Sequence, residues 1–147
     1  MLQLWLDEIR STIFVIQECN LNTDCELINA PNFFRLARNV SELSKHKKQR
    51  MGAVLVVNGH PLSVGCNQSK THPDAPYNGL HAEVQAMKTS GKTKIFGSSI
   101  YVYRRRKDGK IGVAKPCNHC IKALKQFGVR WIYYSTDEYP FWKVEKI

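Results

Sequence analysis

Long hydrophobic runs are missing from this sequence: no apolar stretch approaches the roughly 18 residues needed to cross a bilayer, so a helical membrane span is excluded. The marks of a secretory leader are missing too. The chain has no basic start, Asp7 and Glu8 interrupt the first apolar stretch, and no small-residue cleavage site follows. Repeats and low-complexity tracts are absent. A disulfide framework is argued against by the cysteine count, because the five cysteines (Cys19, Cys25, Cys66, Cys117 and Cys120) are odd in number and the chain reads as intracellular. These absences leave a soluble cytoplasmic protein, and 147 residues are enough for one hydrophobic core.

Acidic residues are also scarce. Asp and Glu number 12 against 22 Lys and Arg, a formal net charge of +10. The imbalance is local: residues 1–30 hold five acids and one base, a net of −4, whereas the remainder carries +14. A body this basic suits an anionic partner such as a nucleotide, a nucleic acid or an acidic protein, although a solvated basic surface accounts for the same count. The charge break divides the chain into an N-terminal extension, residues 1–30, and a domain spanning residues 31–147. In the extension, Leu2, Leu6, Ile9 and Ile13 keep helical spacing but Ile13–Ile16 is a β-branched and aromatic run, so helix, strand and partner-binding arm all remain open.

Periodicity predicts the elements that follow. Phe33, Leu36, Ala37 and Val40 predict a helix over about 32–46, with a basic cluster (Lys45, His46, Lys47, Lys48, Arg50) at its end. Ala53–Val57 reads as a strand buried on both faces. Asn58-Gly59 is a hairpin turn into a second strand over 61–67. Residues 68–79 read as a loop, and 80–89 as a helix ending before Gly91. Ile100 to Tyr103 form a third strand, Asp108-Gly109 a turn, and Ile111–Val113 a short return arm. A helix opens at Pro116 and ends near Gly128, and a fourth strand covers 129–134. Residues 135–147 have no firm assignment. Strands interleaved with helices predict an α/β fold, with a mixed sheet and helices on both faces.

Two short clusters can carry chemistry: His81-Ala82-Glu83 and Pro116-Cys117-Asn118-His119-Cys120, each at the start of a predicted helix. Cysteines at i and i+3 share one helix face, so both sulfurs can reach one ion. The positive end of the helix favours the thiolates that bind zinc. His81 supplies a third ligand, and three protein ligands leave a fourth position for water, as in catalytic zinc sites. Glu83, two residues on, can stand near the metal without ligating it and move protons.

The spacing H-x-E followed by P-C-x-x-C is the signature of zinc nucleobase deaminases. On these motifs the chain resembles the cytidine and deoxycytidylate deaminase superfamily, which also includes deaminases of tRNA adenosine and of polynucleotide cytidine. The resemblance runs from about Phe33 to Tyr139 and takes in Met51–Val56 and Val64-Gly65-Cys66-Asn67. It implies a three-layer α/β/α sandwich and a hydrolytic deaminase that converts cytosine to uracil with release of ammonia. It implies zinc held by His81, Cys117 and Cys120, with Glu83 as the proton shuttle. It also implies substrate contacts from Asn67 and the Ala82 backbone, and a reading of the substrate's surroundings by the loop holding Asp137 and Tyr139. The family usually passes straight from the third strand to Pro-Cys. Here Arg104 to Lys115 inserts a basic hairpin, and Arg104, Arg105 and Arg106 are expected to meet phosphates at the mouth of the site.

Simpler readings stand beside these. A purely structural zinc needs a fourth ligand, for which Cys66 and His119 are the candidates. Strand alternation, however, points Cys66 and Asn67 to opposite faces. Asn67 could merely cap a turn, the arginines could form a solvated arm, and Cys19 and Cys25 could be buried or idle. A second zinc from Cys19, Cys25, Cys66 or His72 fits no standard spacing. The expected partner is a cytosine-containing nucleotide or nucleoside such as deoxycytidylate. Two alternatives compete: a base within single-stranded DNA or RNA, and a non-catalytic zinc-containing module that binds nucleic acid. The sequence leaves cytosine against adenine, and homo-oligomer against monomer, undecided.

Overall fold

The computed structural model describes residues 30–46, 48–68 and 81–147. The expectations for the N-terminal extension, for Cys19 and Cys25, and for His72 lie outside the described residues.

The chain order is α1 (Phe33–Ser41), β1 (Gln49–Val57), β2 (His60–Cys66), α2 (Ala82–Thr89), β3 (Ser98–Arg106), β4 (Ile111–Gly112), α3 (Asn118–Phe127), β5 (Val129–Ser135) and β6 (Trp142–Lys146). The strands form one six-stranded mixed sheet in the order β2-β1-β3-β5-β6, with β4 also pairing β3. β1 pairs antiparallel with β2 through the Asn58-Gly59 turn, where both residues have positive φ. β3 and β5 run parallel, a pairing that needs a crossover connection, which the segment containing α3 supplies.

Side-chain alternation divides the core between the two faces. On one, Phe34 and Ala37 of α1 are buried against Val54, Val56, Tyr101, Tyr103 and Ile111. On the other, Ala82, Ala86 and Met87 of α2 and Leu124 and Phe127 of α3 are buried against Ala53, Leu55, Ile100, Val102 and Ile132. The Val, Leu, Ile, Phe and Met side chains among these contribute about 1.5–3 kcal/mol each when fully buried. The result is a three-layer α/β/α sandwich. Gly65 permits the close seating of α2 on β2. A Cβ there would lie 2.5 Å from both the Ala82 carbonyl oxygen and the Ala86 nitrogen. Among the described residues no helix is long and apolar enough to cross a membrane.

Three boundaries differ from the sequence expectation. The first helix stops at Ser41 instead of about 46. The chain there turns on Leu43 N–H to Val40 O and Ser44 N–H to Ser41 O bonds, and His46 Nδ1 then accepts the Gln49 N–H. β1 begins at Gln49, not Ala53, because its polar start pairs with Arg104–Arg106 of β3. The unassigned tail forms β6, antiparallel to β5. It lies at the edge of the sheet, where none of its five residues is fully buried.

Candidate active site

Both motif clusters sit at helix starts, and the residues preceding the two helices are themselves donors. His81 is the N-cap of α2 and Cys117 the N-cap of α3, each with extended backbone and no side-chain capping bond. Their side chains are thereby left to one another. Cys117 Sγ lies 3.7 Å and Cys120 Sγ 3.4 Å from His81 Nδ1. The three donor atoms all lie within 4.8 Å of one another.

This donor set fits zinc. Ligands at about 2.0–2.3 Å in a tetrahedral arrangement stand about 3.6 Å apart, which falls between the two observed separations. Burial lowers the His81 pKa, favouring the neutral imidazole that ligates. Among the described residues the group has three members, and neither Cys66 nor His119 joins it. Three protein donors would leave a fourth position of a tetrahedral ion for water, as in catalytic zinc sites.

Glu83 lies in the first turn of α2 and is 2% exposed. Its Oε2 stands 4.0 Å from Cys120 Sγ, yet it is not one of the three grouped donors. Burial pushes its pKa up to about 7, against a smaller opposing effect from a backbone hydrogen bond. A carboxyl poised near neutrality can both take and give a proton under ordinary conditions.

Residues 28–136 match the cytidine and deoxycytidylate deaminase zinc-binding region. The chain belongs to this family. Family membership makes it a zinc-dependent hydrolase, a deaminase, with His81, Cys117 and Cys120 as residues that could form the metal site. The deoxycytidylate (dCMP) deaminase of cyanophage S-TIM5 in its apo form is similar at 28% identity. The match covers 74% of this chain and 82% of that one, with a TM-score of 0.54. The same enzyme in complex with dCMP and dUMP is 26% identical, covering 72% and 79%, also with a TM-score of 0.54. The cytidine deaminase of Burkholderia pseudomallei, 18% identical over 78% of this chain and 89% of that one with a TM-score of 0.58, shares the fold. No protein of curated function matches the chain in sequence.

The remaining candidate residues of this deaminase fall in different places. Ala82 is buried at the start of α2, where the first N–H groups of a helix have no partner within it. Asn67 is buried and largely committed. Its Oδ1 accepts bonds from Ser44 Oγ (2.6 Å) and the Met51 N–H (2.9 Å), and its Nδ2 donates to the Gln49 carbonyl (3.0 Å). One N–H of the amide remains for another partner. Asp137 and Tyr139 are exposed on the loop after β5, with Tyr139 84% exposed.

Arg105 and Arg106 line one pocket at the end of the β1–β3 pair, and Arg104 does not join them. Ladder alternation puts Arg104 and Arg106 on the α2–α3 face and Arg105 on the α1 face. Arg104 Nη1 donates to the Val113 carbonyl at 3.4 Å. Arg105 meets Glu42 at 3.7 Å, and Arg106 meets Asp108 at 3.0 Å.

Two residues with structural roles here escaped sequence reasoning. Ser44 holds Asn67, bonding both its side chain and its carbonyl. Ser135 accepts the Arg104 N–H and donates to the Gly112 carbonyl, tying the inserted hairpin to β5. Serines pass as surface polar residues, and no local pattern marks them as joints.

Proposed function

We propose that this deaminase acts on a free cytosine nucleotide of the deoxycytidylate type, converting cytosine and water to uracil and ammonia as a step of nucleotide metabolism. Residues 31–147 are its catalytic domain, and residues 1–30 are an extension to it. One observation carries the choice of a nucleotide: the likeness to the cyanophage dCMP deaminase, whose complex holds dCMP and dUMP. The chemistry rests on the buried Glu83 beside the three donors.

In this reading His81, Cys117 and Cys120 hold the metal. When bound there, zinc would supply Lewis acidity, lowering the pKa of water toward neutrality. Glu83 accepts one proton from the attacking water and delivers it to the ring nitrogen, then takes the proton of the hydroxyl formed at C4 and passes it to the amine, which leaves as ammonia as the carbonyl forms. The Ala82 N–H faces the base, and the spare Asn67 N–H donates to the sugar or base. Arg104, Asp137 and Tyr139 border the entrance in this reading.

A second reading, deamination of a base within single-stranded DNA or RNA, draws support from Tyr139, whose exposed ring is suited to stacking on a neighbouring base. One assay separates the two. The protein is incubated with dCMP, CMP, deoxycytidine, and cytosine-containing single-stranded DNA and RNA, and products are detected by the mass change of deamination. Turnover of dCMP well above the oligomers is expected. Turnover of the oligomers alone would replace the first reading with the second.

A further inference from the structure

Arg50 and Arg105 face each other as direct partners in the antiparallel β1–β3 ladder. Alternation places both on the α1 face, the side away from His81, Cys117 and Cys120. Like charges directly opposite in a ladder are destabilising. The crowding extends to α1: Arg38 and Arg105 approach the same Glu42 oxygen, Oε1, at 3.9 and 3.7 Å. The Arg38 pKa is lowered, chiefly by burial and further by repulsion from Arg105. A merely solubilising surface would spread its cations apart, whereas these are concentrated where they oppose folding.

Beside this ladder lies a pocket of about 270 Å³, lined by Lys48, Gln49, Arg50, Arg105, Arg106 and Lys107 together with Gly109. Five of the seven lining residues are cations and none is an acid. None belongs to the metal cluster or is Glu83. We infer that this pocket is a phosphate-binding site, distinct from the metal centre, which takes the phosphate groups of a polyphosphate or of a nucleic-acid backbone. Guanidinium forks match phosphate oxygens in pairs. A multiply charged anion between Arg50 and Arg105 turns their repulsion into shared attraction. The neighbouring Lys48 and Lys107, exposed on the two turns, extend the same field to the pocket rim. The inference stands on the ladder and the pocket, so it does not depend on which cytosine compound the metal site deaminates.

The test uses the full, zinc-loaded chain with two probes that contain no cytosine: sodium tripolyphosphate and a fluorescent single-stranded 15-mer of deoxythymidylate. Thermal melting and fluorescence anisotropy are read at rising salt for the natural chain, for Arg50→Gln with Lys48→Gln, and for Lys48→Gln with Lys107→Gln. The last pair alters exposed turn residues, so loss of folding does not confuse the result. At least one probe should bind and raise the melting temperature of the natural chain. Each double variant should weaken that binding about tenfold at low salt. For the oligonucleotide, the slope of log affinity against log salt should become shallower by about 1.4, roughly 0.7 for each lost contact. Without added anion at low salt, the Arg50→Gln pair should melt no lower than the natural chain. Binding of tripolyphosphate alone assigns the pocket to free polyphosphates, while oligonucleotide binding that tripolyphosphate displaces assigns it to a nucleic-acid backbone. If neither probe binds, or if both variants bind as the natural chain does, the inference is overturned.

Discussion

At the scale of single residues, Glu83 is the most exacting choice in the molecule. A carboxyl that is 2% exposed costs stability when ionised and contributes chemistry for that same reason. Substituting Gln keeps its shape and removes the proton. Glu83→Gln should retain about one zinc per chain and bind substrate, while turnover falls by at least about 10²–10⁴-fold. Zinc content, affinity and turnover on one preparation check this. Turnover within a few-fold of normal would remove Glu83 from the mechanism, and loss of zinc would make it a ligand or a prop. The same residue predicts a pH dependence for the chelated protein. Folded Glu83 holds its proton up to about pH 7, against an ordinary value of 4.5. Its contribution is therefore fully present below the unfolded pKa and is lost as pH rises through the folded one. The loss is on the order of 3 kcal/mol in total. Denaturant midpoints between pH 4.5 and 7.5 should fall more steeply for the natural chelated chain than for Glu83→Gln. Equal slopes would mean that the carboxyl is hydrated in solution.

At the scale of elements, the metal site depends on how two helix starts are presented. α2 is held against β2 by the Ser63 hydroxyl bond to the Ala86 carbonyl (2.6 Å) and by the missing side chain of Gly65. Backbone atoms of α2 at 2.5 Å from a Gly65 Cβ cannot swing aside as a flexible side chain would. Gly65→Ala should therefore cost roughly 1–3 kcal/mol by overpacking. By displacing His81 and Glu83 together, it should also lower turnover, although Gly65 is not among the proposed catalytic or substrate-contacting residues. Urea midpoints and turnover measure the two effects, and full activity in a destabilised variant would show that α2 shifts without disturbing the site. The C-terminal end of α3 is fixed in a comparable way. Gly128 has φ of +103° and donates to the Leu124 and Lys125 carbonyls, the left-handed ending that Gly tolerates without strain.

At the scale of the whole molecule, zinc held by the proposed donors would join parts of the chain that are far apart in sequence: His81 from the start of α2, and Cys117 and Cys120 from the start of α3. The core beneath both helices is apolar and continuous, so the fold should survive chelation while losing stability through linkage. The loss should be about 4 kcal/mol where free zinc had stood a thousandfold above its dissociation constant. Chelated protein should keep its far-ultraviolet dichroism but melt at a lower temperature. Cys117→Ala and Cys120→Ala should bind little zinc and melt alike with or without it. A melting temperature indifferent to zinc in the natural chain would count against the assignment of these donors.

The sequence by itself determined which donor side chains come together, the position of Glu83 at the start of α2 and most of the sheet. A one-turn spacing such as Cys117 to Cys120, a β-branched run such as Ala53–Val57 and a turn such as Asn58-Gly59 act through neighbours along the chain. Local reading reaches such features. It did not reach β6, whose pairing is supplied by β5, or the early start of β1, which is supplied by β3. Nor did it reach the division of Arg104, Arg105 and Arg106 between two faces. Consecutive arginines look like one patch in a sequence, but the two-residue period of a strand sends them to opposite sides. Which side meets the metal centre and which meets Arg50 was decided by the ladder register alone, a relation between residues more than fifty positions apart.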